Sequence, residues 1–444
     1  MSINPTTIEK PVVKSSFAHA AFWMLSTNIA VIILGFAEQV LGARWLGPAG
    51  KGMLTSIMAY PVLLITIAEM GIRQATVYFI GKKTHTSEQV ISAVCVLLVG
   101  TSLLGMLICF ACFRLFPPKD AHFPVLLMVL AAGTIPLNLA VAYSKGFFLG
   151  WEITTKFNLL EGLSQSLRLA LLIVFVRFFH WHVDGALTAI FISYGLVAIY
   201  AVFQVLCHVR IIWQFDPRLI LALVKMGIVY ALALFLNMLN YRFGVIMITH
   251  WSTLKEVGYY GVGMGIVEQL WLLPNTLGTV VFSRSANSDD PLVFSRKVSQ
   301  LLRVSFVALL ALSGVLMLIV KPFILGLYTQ TFAGSIAVIE VMIPGVVIFA
   351  IYRILNMDLA GRGKPVLATY AMIPGLIVNI IVGILLIPKY DALGGAIAST
   401  ISYTLSAIIF LFVYSHEVKI PVREILRYRT SDFAFITDRL RKSS

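Results

Sequence analysis

Charged side chains are scarce in this chain. Asp, Glu, Lys and Arg together make up 12% of its 444 residues, about half the share of a soluble domain. That excludes a solvated globular surface. Cysteine is also rare. Cys95, Cys109, Cys112 and Cys207 all lie in apolar runs, which excludes a disulfide framework. The Cys109–Cys112 pair has no His or acidic neighbour and reads as packing residues, not as a metal or redox site. A phosphate-binding loop is missing: Gly47 to Gly52 includes Lys51, but the glycine–lysine spacing is wrong and no Ser or Thr follows the lysine. ATP hydrolysis is therefore not expected. No H-E-x-x-H, G-x-S-x-G or paired catalytic carboxylates stand out, and no soluble insert exists to hold them, so the chain does not read as an enzyme. His180-Trp181-His182 lacks a third ligand for a metal. No cofactor is expected.

What is abundant is apolar. Hydrophobic residues reach 59% and the mean hydropathy is +0.91, which puts the chain in the membrane class. The net charge of +14 does not point to nucleic acid. The basic residues sit singly between apolar runs, apart from a cluster in the last 30 residues, and read as topology signals and headgroup contacts. A membrane helix needs about 20 apolar residues. Twelve such runs can be placed, near 18–41, 53–80, 89–115, 122–148, 157–179, 185–212, 222–249, 257–282, 300–320, 334–358, 365–387 and 391–414.

The fold class is therefore an all-α polytopic membrane protein of about twelve helices. A polar N-terminus, 1–17, carries Lys10 and Lys14 and precedes a retained first span. Six-helix bundles follow at 18–214 and 215–414, then a basic tail at 415–444. Lys and Arg outside the spans divide 23 to 8 in favour of the loops on the side of the two termini, which orients both termini to the cytoplasm. The tail sets Ile420, Val422, Ile425 and Leu426 beside Arg423, Arg427 and Arg429. It reads either as an amphipathic segment on the anionic leaflet or as a solvated tail.

The two halves match each other. Gly47-Pro-Ala-Gly50-Lys-Gly52-Met53 aligns with Gly258-Tyr-Tyr-Gly261-Val-Gly263-Met264 at an offset of 211 residues, and Gly185-Ala186 with Gly395-Ala396 at 210. Ile192-Ser193-Tyr194 aligns with Ile401-Ser402-Tyr403 at 209. Six helices per half is an even number, so both halves insert in the same sense and form a parallel pseudo-twofold repeat about the membrane normal. Two bundles facing each other across a cavity, and rocking to expose it to each side in turn, is a transporter architecture.

Several motifs in order carry a resemblance to a known family. They are Leu46-Gly47-Pro48-Ala49-Gly50-Lys51-Gly52, Gly71-Ile72-Arg73-Gln74-Ala75, Phe215-Asp216-Pro217-Arg218, Leu239-Asn240-Tyr241-Arg242, Val257-Gly258-Tyr259-Tyr260, Glu268-Gln269-Leu270-Trp271-Leu272-Leu273-Pro274 and Pro388-Lys389-Tyr390-Asp391-Ala392-Leu393-Gly394-Gly395-Ala396. To about Tyr414 the chain resembles Wzx-type polysaccharide flippases of the multidrug/oligosaccharidyl-lipid/polysaccharide (MOP) superfamily. Ala68 to Ala75 also resembles lipid II flippases of that superfamily, which usually have two further helices.

The resemblance implies a flippase moving undecaprenyl-diphosphate-linked oligosaccharides across the inner membrane, alongside a polymerase and glycosyltransferases of one pathway. Without ATP hydrolysis, energy is expected from a proton or sodium gradient, the membrane potential or removal of product outside. A cation-coupled exporter of small molecules is the alternative, and a membrane-embedded polysaccharide enzyme a third.

Ionisable residues inside spans are costly and tend to face protein or a wet cavity. Here they are Glu38, Glu69, Arg73, Arg168, Arg242, Glu268, Glu340, Arg353 and Asp358. An anionic diphosphate-sugar headgroup suits arginine. Arg242, beside Asn237 and Asn240, is the first candidate for substrate contact, with an ion pair to Glu268 as the structural alternative. Arg168 with Gln165 and Ser164, the neighbours Glu38 and Gln39, and Arg73 are further candidates. Glu268 and Glu69 are candidates for ion coupling, although Glu69 and Arg73 are also spaced for an i,i+4 pair. Arg353 and Asp358 read as locally structural. Trp271 lies mid-span and could stack on a sugar ring. Trp23, Trp45, Trp151, Trp181, Trp213 and Trp251 fall near span ends and read as an interfacial belt.

Overall fold

A computed structural model describes residues 17–82, 85–120, 122–209, 216–286, 288, 290–364, 366–429 and 432, with 17–29 as backbone alone. Residues 1–16 with Lys10 and Lys14, the Trp23 side chain, the Trp213 position and most of the tail past Arg429 lie outside the described residues. So does the expected bundle boundary at 214 to 215.

Among the described residues all regular structure is helical. The principal helices are α1 (Phe17–Ala68), α2 (Ile72–Gly81), α3 (Ser87–Leu115), α4 (Val125–Gly150), α5 (Thr154–Leu172), α6 (His182–Leu206), α7 (Pro217–Trp251), α8 (Leu254–Val267), α9 (Leu272–Ala286), α10 (Pro291–Phe323), α11 (Gly334–Gly361), α12 (Val366–Val418) and α13 (Val422–Leu426). Among the described residues eight helical segments are long and apolar enough to cross a membrane, and two of them, Ala30–Gly81 and Val366–Val418, are of double length.

Local chemistry sets the helix starts. Asp216 caps α7 by accepting from Arg218 N and Leu219 N, with Pro217 in the first turn. Asp290 and Pro291 do the same for α10. Each Asp satisfies amides that have no partner within the helix, and each Pro occupies a position where no amide is needed. Two loops expected from hydropathy shrink to single-residue kinks. In α1 the chain turns at Gly47 (φ 68°), and Pro48 restarts the helix. In α12 it turns at Asp391 (φ 50°), whose carboxylate accepts from Ser252 Oγ at 2.5 Å. The α1 kink turns the Lys51 segment back into the protein.

Helices α1 to α6 pack on one another, and so do α7 to α12, giving two lobes that meet where α1 contacts α7 and α8 and where α2 contacts α7. Glycine makes this contact close. A Cβ on Gly52 would lie 1.7 Å from the Leu254 carbonyl oxygen, and one on Gly258 would lie 2.0 Å from the Pro48 oxygen. These are the two motifs matched by the internal repeat, so the repeat copies form the lobe interface. Ser56 and Thr249 reinforce it with a buried 2.8 Å hydrogen bond across the lobes. Nearby, Lys119 Nζ donates to the Trp251 carbonyl at 3.1 Å, a cation at the C-terminus of α7. Toward the other end of the spans, where α1 begins and α12 finishes, Gly227 meets the Met70 oxygen in the same way, at 1.9 Å from a Cβ.

Gly258→Ala is expected to force the lobes apart at the first contact, since overpacking costs about 1–3 kcal/mol and backbone cannot yield as a side chain can. Spin-label distances between α1 and α8 should lengthen in the variant. Wild-type distances would refute the contact.

The tail is docked and not a solvated strand: Ile420 and Ile425 are buried against the second lobe, while Leu426 of the same segment stays exposed. Arg303 of α10 fixes the segment. It donates Nε and Nη2 to the two oxygens of Asp432 at 2.7 Å and Nη1 to the carbonyls of Glu424 and Ile425 at 3.2 and 2.9 Å. Hydrogen bonding from Arg303 holds the Asp432 carboxyl below its ordinary value. A lowered value means this contribution is complete above the ordinary aspartate range and is lost only as pH falls through the lower, docked value.

Candidate functional site

A cavity of about 400 Å³ lies between the lobes, lined by α1, α5 and α6 on one side and α7 and α8 on the other. On the first lobe, Gln165 Nε2 donates to Glu38 Oε2 at 2.6 Å, and Arg168 Nε stands 3.7 Å from the same oxygen. Arg168 also donates to Gln165 Oε1 and, at 3.4 Å, to the Tyr194 hydroxyl. Gln165 and Arg168 are three apart on α5, so one helix face delivers both. Lys51 Nζ donates to Gln39 Oε1 at 3.1 Å. On the second lobe Arg242 and Glu268 face the same space, with Gln269 beside them. Among the described residues the buried Nε of Arg242 has no hydrogen-bond partner.

The charges do not cancel. Lys51, Arg168 and Arg242 share the lining with Glu38 and Glu268. Arg168 is committed to Glu38, and Arg242 stands in the field of Glu268 without a direct ion pair among the described residues. Three cations against two carboxylates leave one net positive charge, with Lys51 donating to the neutral Gln39 amide. An arrangement of this kind has the donors and the net positive charge to accept an anion that also offers hydroxyl groups.

The cavity brings together six residues singled out from sequence: Glu38, Gln39, Gln165, Arg168, Arg242 and Glu268. It leaves the others elsewhere. Arg73 and Glu69 form the i,i+4 pair at 2.9 Å and line a separate chamber of about 210 Å³ in the first lobe, which shares the Arg168–Tyr194 wall with the central cavity.

Asn240 is fully buried. Its Oδ1 accepts from Asn379 Nδ2 at 2.7 Å and from Ser402 Oγ at 3.0 Å, so it ties α7 to α12 instead of meeting a sugar. Asn237, one turn away, bonds Tyr352. Trp271 is buried, and its indole donates to the Val346 carbonyl at 3.1 Å. One face of its ring is covered by the Arg353 guanidinium, 4.0 Å from the centroid. Tyr241, Phe349 and Tyr403 pack around the rest of the ring, so between these rings and the stacked cation no face is left for a sugar. Arg353 turns to Tyr241 and Asn275 and not to Asp358, which pairs with Arg362.

Lys51, Thr55 and Tyr194 also line the cavity. Lys51 was counted from sequence as a loop charge. It enters the cavity because α1 kinks at Gly47 without leaving the bundle, and hydropathy carries no signal for that.

A family model described as "Polysaccharide biosynthesis protein" matches residues 17–288. A putative O-antigen transporter of Shigella flexneri is 22% identical over 426 residues, covering 91% of this chain and 98% of that protein. An uncharacterized membrane protein of Methanocaldococcus jannaschii is 22% identical over 421 residues, covering 86% and 80%. Among solved structures, the lipid II flippase MurJ in an inward closed conformation superposes with a TM-score of 0.75 at 15% identity, over 95% of this chain and 96% of that one. An inward-facing MATE-family multidrug transporter of the MOP superfamily gives a TM-score of 0.69 at 15% identity, over 90% and 98%. At these identities the two likenesses establish the fold.

Proposed function

Because the chain belongs to the polysaccharide biosynthesis protein family and has the fold of MOP-superfamily transporters, we propose that it is a flippase for undecaprenyl-diphosphate-linked oligosaccharide repeat units in the bacterial inner membrane. The observation that carries this reading is Arg242, whose guanidinium faces the central cavity with Nε unpartnered among the described residues. A guanidinium binds phosphate oxygens in pairs and stays charged when buried. Lys51 supplies a second cation from the opposite lobe. Gln39, Thr55, Tyr194 and Gln269 are positioned for sugar hydroxyls.

At about 400 Å³ the cavity is near the lower end for small-molecule sites. An oligosaccharide therefore enters only when the lobes part, with the glycine contacts as the points that open. The polyprenyl tail remains in lipid. In this reading the basic side of the molecule, with both termini, faces the cytoplasm, where glycosyltransferases build the unit, and a polymerase takes it on the other side.

With no nucleotide-binding loop in the sequence, the energy in this reading comes from an ion gradient, the membrane potential or removal of product outside, and a carboxylate facing the cavity favours a proton or sodium gradient. Glu268, across the cavity from Arg168, is the coupling carboxylate; Glu69, already paired with Arg73, is not assigned that role. Glu268→Gln is expected to leave folding intact and remove the ion dependence of transport in proteoliposomes. Unchanged ion dependence would take Glu268 out of the role.

The deciding experiment deletes the gene with the polymerase intact and analyses lipid-linked glycans by mass spectrometry, leaflet by leaflet. One repeat unit on undecaprenyl diphosphate should accumulate on the cytoplasmic face. Normal amounts and sidedness would overturn the reading in favour of a small-molecule exporter.

A further inference from the structure

The docked C-terminal segment holds a second concentration of charge, remote from the central cavity. Arg423, Arg427 and Arg429, with Pro421 and Glu424, surround a space of about 340 Å³. Glu424 is the one carboxylate in that lining, and its Oε1 is shared by Arg296 at 3.6 Å and Arg429 at 3.9 Å. Arg296 and Arg429 thus divide that single negative charge, and Arg423 and Arg427 have no ion pair among the described residues. Leu426 and Tyr428 stand exposed among them. They offer apolar surface and a polar tip, the pairing found at membrane interfaces.

This is a built arrangement, not a frayed basic tail. The bidentate bond of Arg303 to Asp432 and its bonds to the Glu424 and Ile425 carbonyls fix both sides of the arginine-bearing stretch. Asp432 Oδ2 also accepts from Arg429 N at 2.9 Å. Buried Ile420 and Ile425 anchor the segment from beneath. It begins where α12 ends, at Val418, and so lies at the membrane boundary.

We propose that this space is a binding site for the phosphodiester headgroup of an anionic phospholipid in the adjoining leaflet. Arg423, Arg427 and Arg429 contact the phosphate, and Leu426 and Tyr428 flank the glycerol. Guanidinium groups recognise phosphate by paired hydrogen bonds, and juxtamembrane cations draw anionic lipid. The committed source is a bilayer lipid; a free phosphate would present the same oxygens without the apolar part.

The test is native mass spectrometry of the full-length protein in detergent, titrated with phosphatidylglycerol, phosphatidylcholine or inorganic phosphate. Phosphatidylglycerol should be retained one to one and phosphatidylcholine should not, with inorganic phosphate failing to displace the lipid. The double variant Arg423→Gln/Arg427→Gln should weaken phosphatidylglycerol retention about tenfold or more while unfolding at the wild-type midpoint. Arg303→Gln, which leaves all three site arginines in place but releases the segment, should weaken retention as well. Equal retention of both lipids, full competition by inorganic phosphate, an unaffected double variant, or wild-type binding in Arg303→Gln would each overturn the assignment. None of these readouts depends on glycan transport.

Discussion

Asp358→Ala is expected to destabilise the solubilised protein by about 3–5 kcal/mol, the range for breaking a buried ion pair from one side. Asp358 is completely buried. Its carboxylate accepts from Ser285 Oγ, Ser295 Oγ and Tyr414 Oη, each at 2.6 Å, and from Arg362 Nε and Nη2 at 3.1 Å. Those donors come from α9, α10, α12 and the C-terminal end of its own α11, so one carboxylate joins four helices of the second lobe. Removing it takes the buried acceptor from Ser295 and Tyr414 and the counter-charge from the part-exposed Arg362, while Ser285 keeps its 2.9 Å bond to the Asp358 main-chain carbonyl, and each unsatisfied buried group adds a penalty. Arg362 keeps its bond to the Pro291 carbonyl, which limits the loss. Asp358→Asn should fall between the two, since an amide keeps the volume but carries no charge and has one accepting oxygen. Denaturant or thermal midpoints measured in detergent decide it. A variant within about 0.5 kcal/mol of wild type, the range of an ordinary surface substitution, would show that the network does not hold the lobe together.

Arg242→Ala is expected to have the opposite profile: normal expression and stability, and transport reduced roughly 10- to 100-fold. Its Nε contributes no hydrogen bond to the fold among the described residues, so truncation leaves little unsatisfied. What it removes is a contact to an anion, about 1.5–3 kcal/mol for a charge-assisted hydrogen bond, and each 1.4 kcal/mol is a factor of ten. Arg242→Lys should recover part of the activity, because it restores the charge but not the planar fork. Accumulation of lipid-linked repeat units on the cytoplasmic face of cells carrying each variant is the readout. A well-expressed Arg242→Ala with normal polysaccharide output would remove Arg242 from the site. Asp358 and Arg242 are both in-span ionisable residues, and their surroundings give them opposite expected roles.

That difference marks where the sequence stops being informative. Composition and run length are sufficient for a helical membrane protein of about twelve spans, since the bilayer demands long apolar helices whatever they pack against. The rarity of charge within those spans makes each one conspicuous, which is why Glu38, Arg168, Arg242 and Glu268 could be singled out before any coordinates. The repeated glycine motif was legible too, because a backbone contact admits only glycine at Gly52 and Gly258.

Facing was not legible. In a soluble helix the polar stripe tells which side is wet. Here the lipid side and the lobe interior are both apolar, so Asn240 bonded to Asn379, Trp271 beneath Arg353 and Arg242 in the open cavity look alike along the chain. Lys51 reads as a loop charge until the Gly47 kink folds it inward, and Arg303 and Asp432 lie 129 residues apart before they meet. The sequence by itself determined the number of spans, the internal repeat and the small set of charges that must be accommodated. Tertiary structure alone decided which of those charges are neutralised by partners from distant helices and which are left facing the cavity, because pairing depends on side-chain distances of a few ångströms that no local pattern encodes.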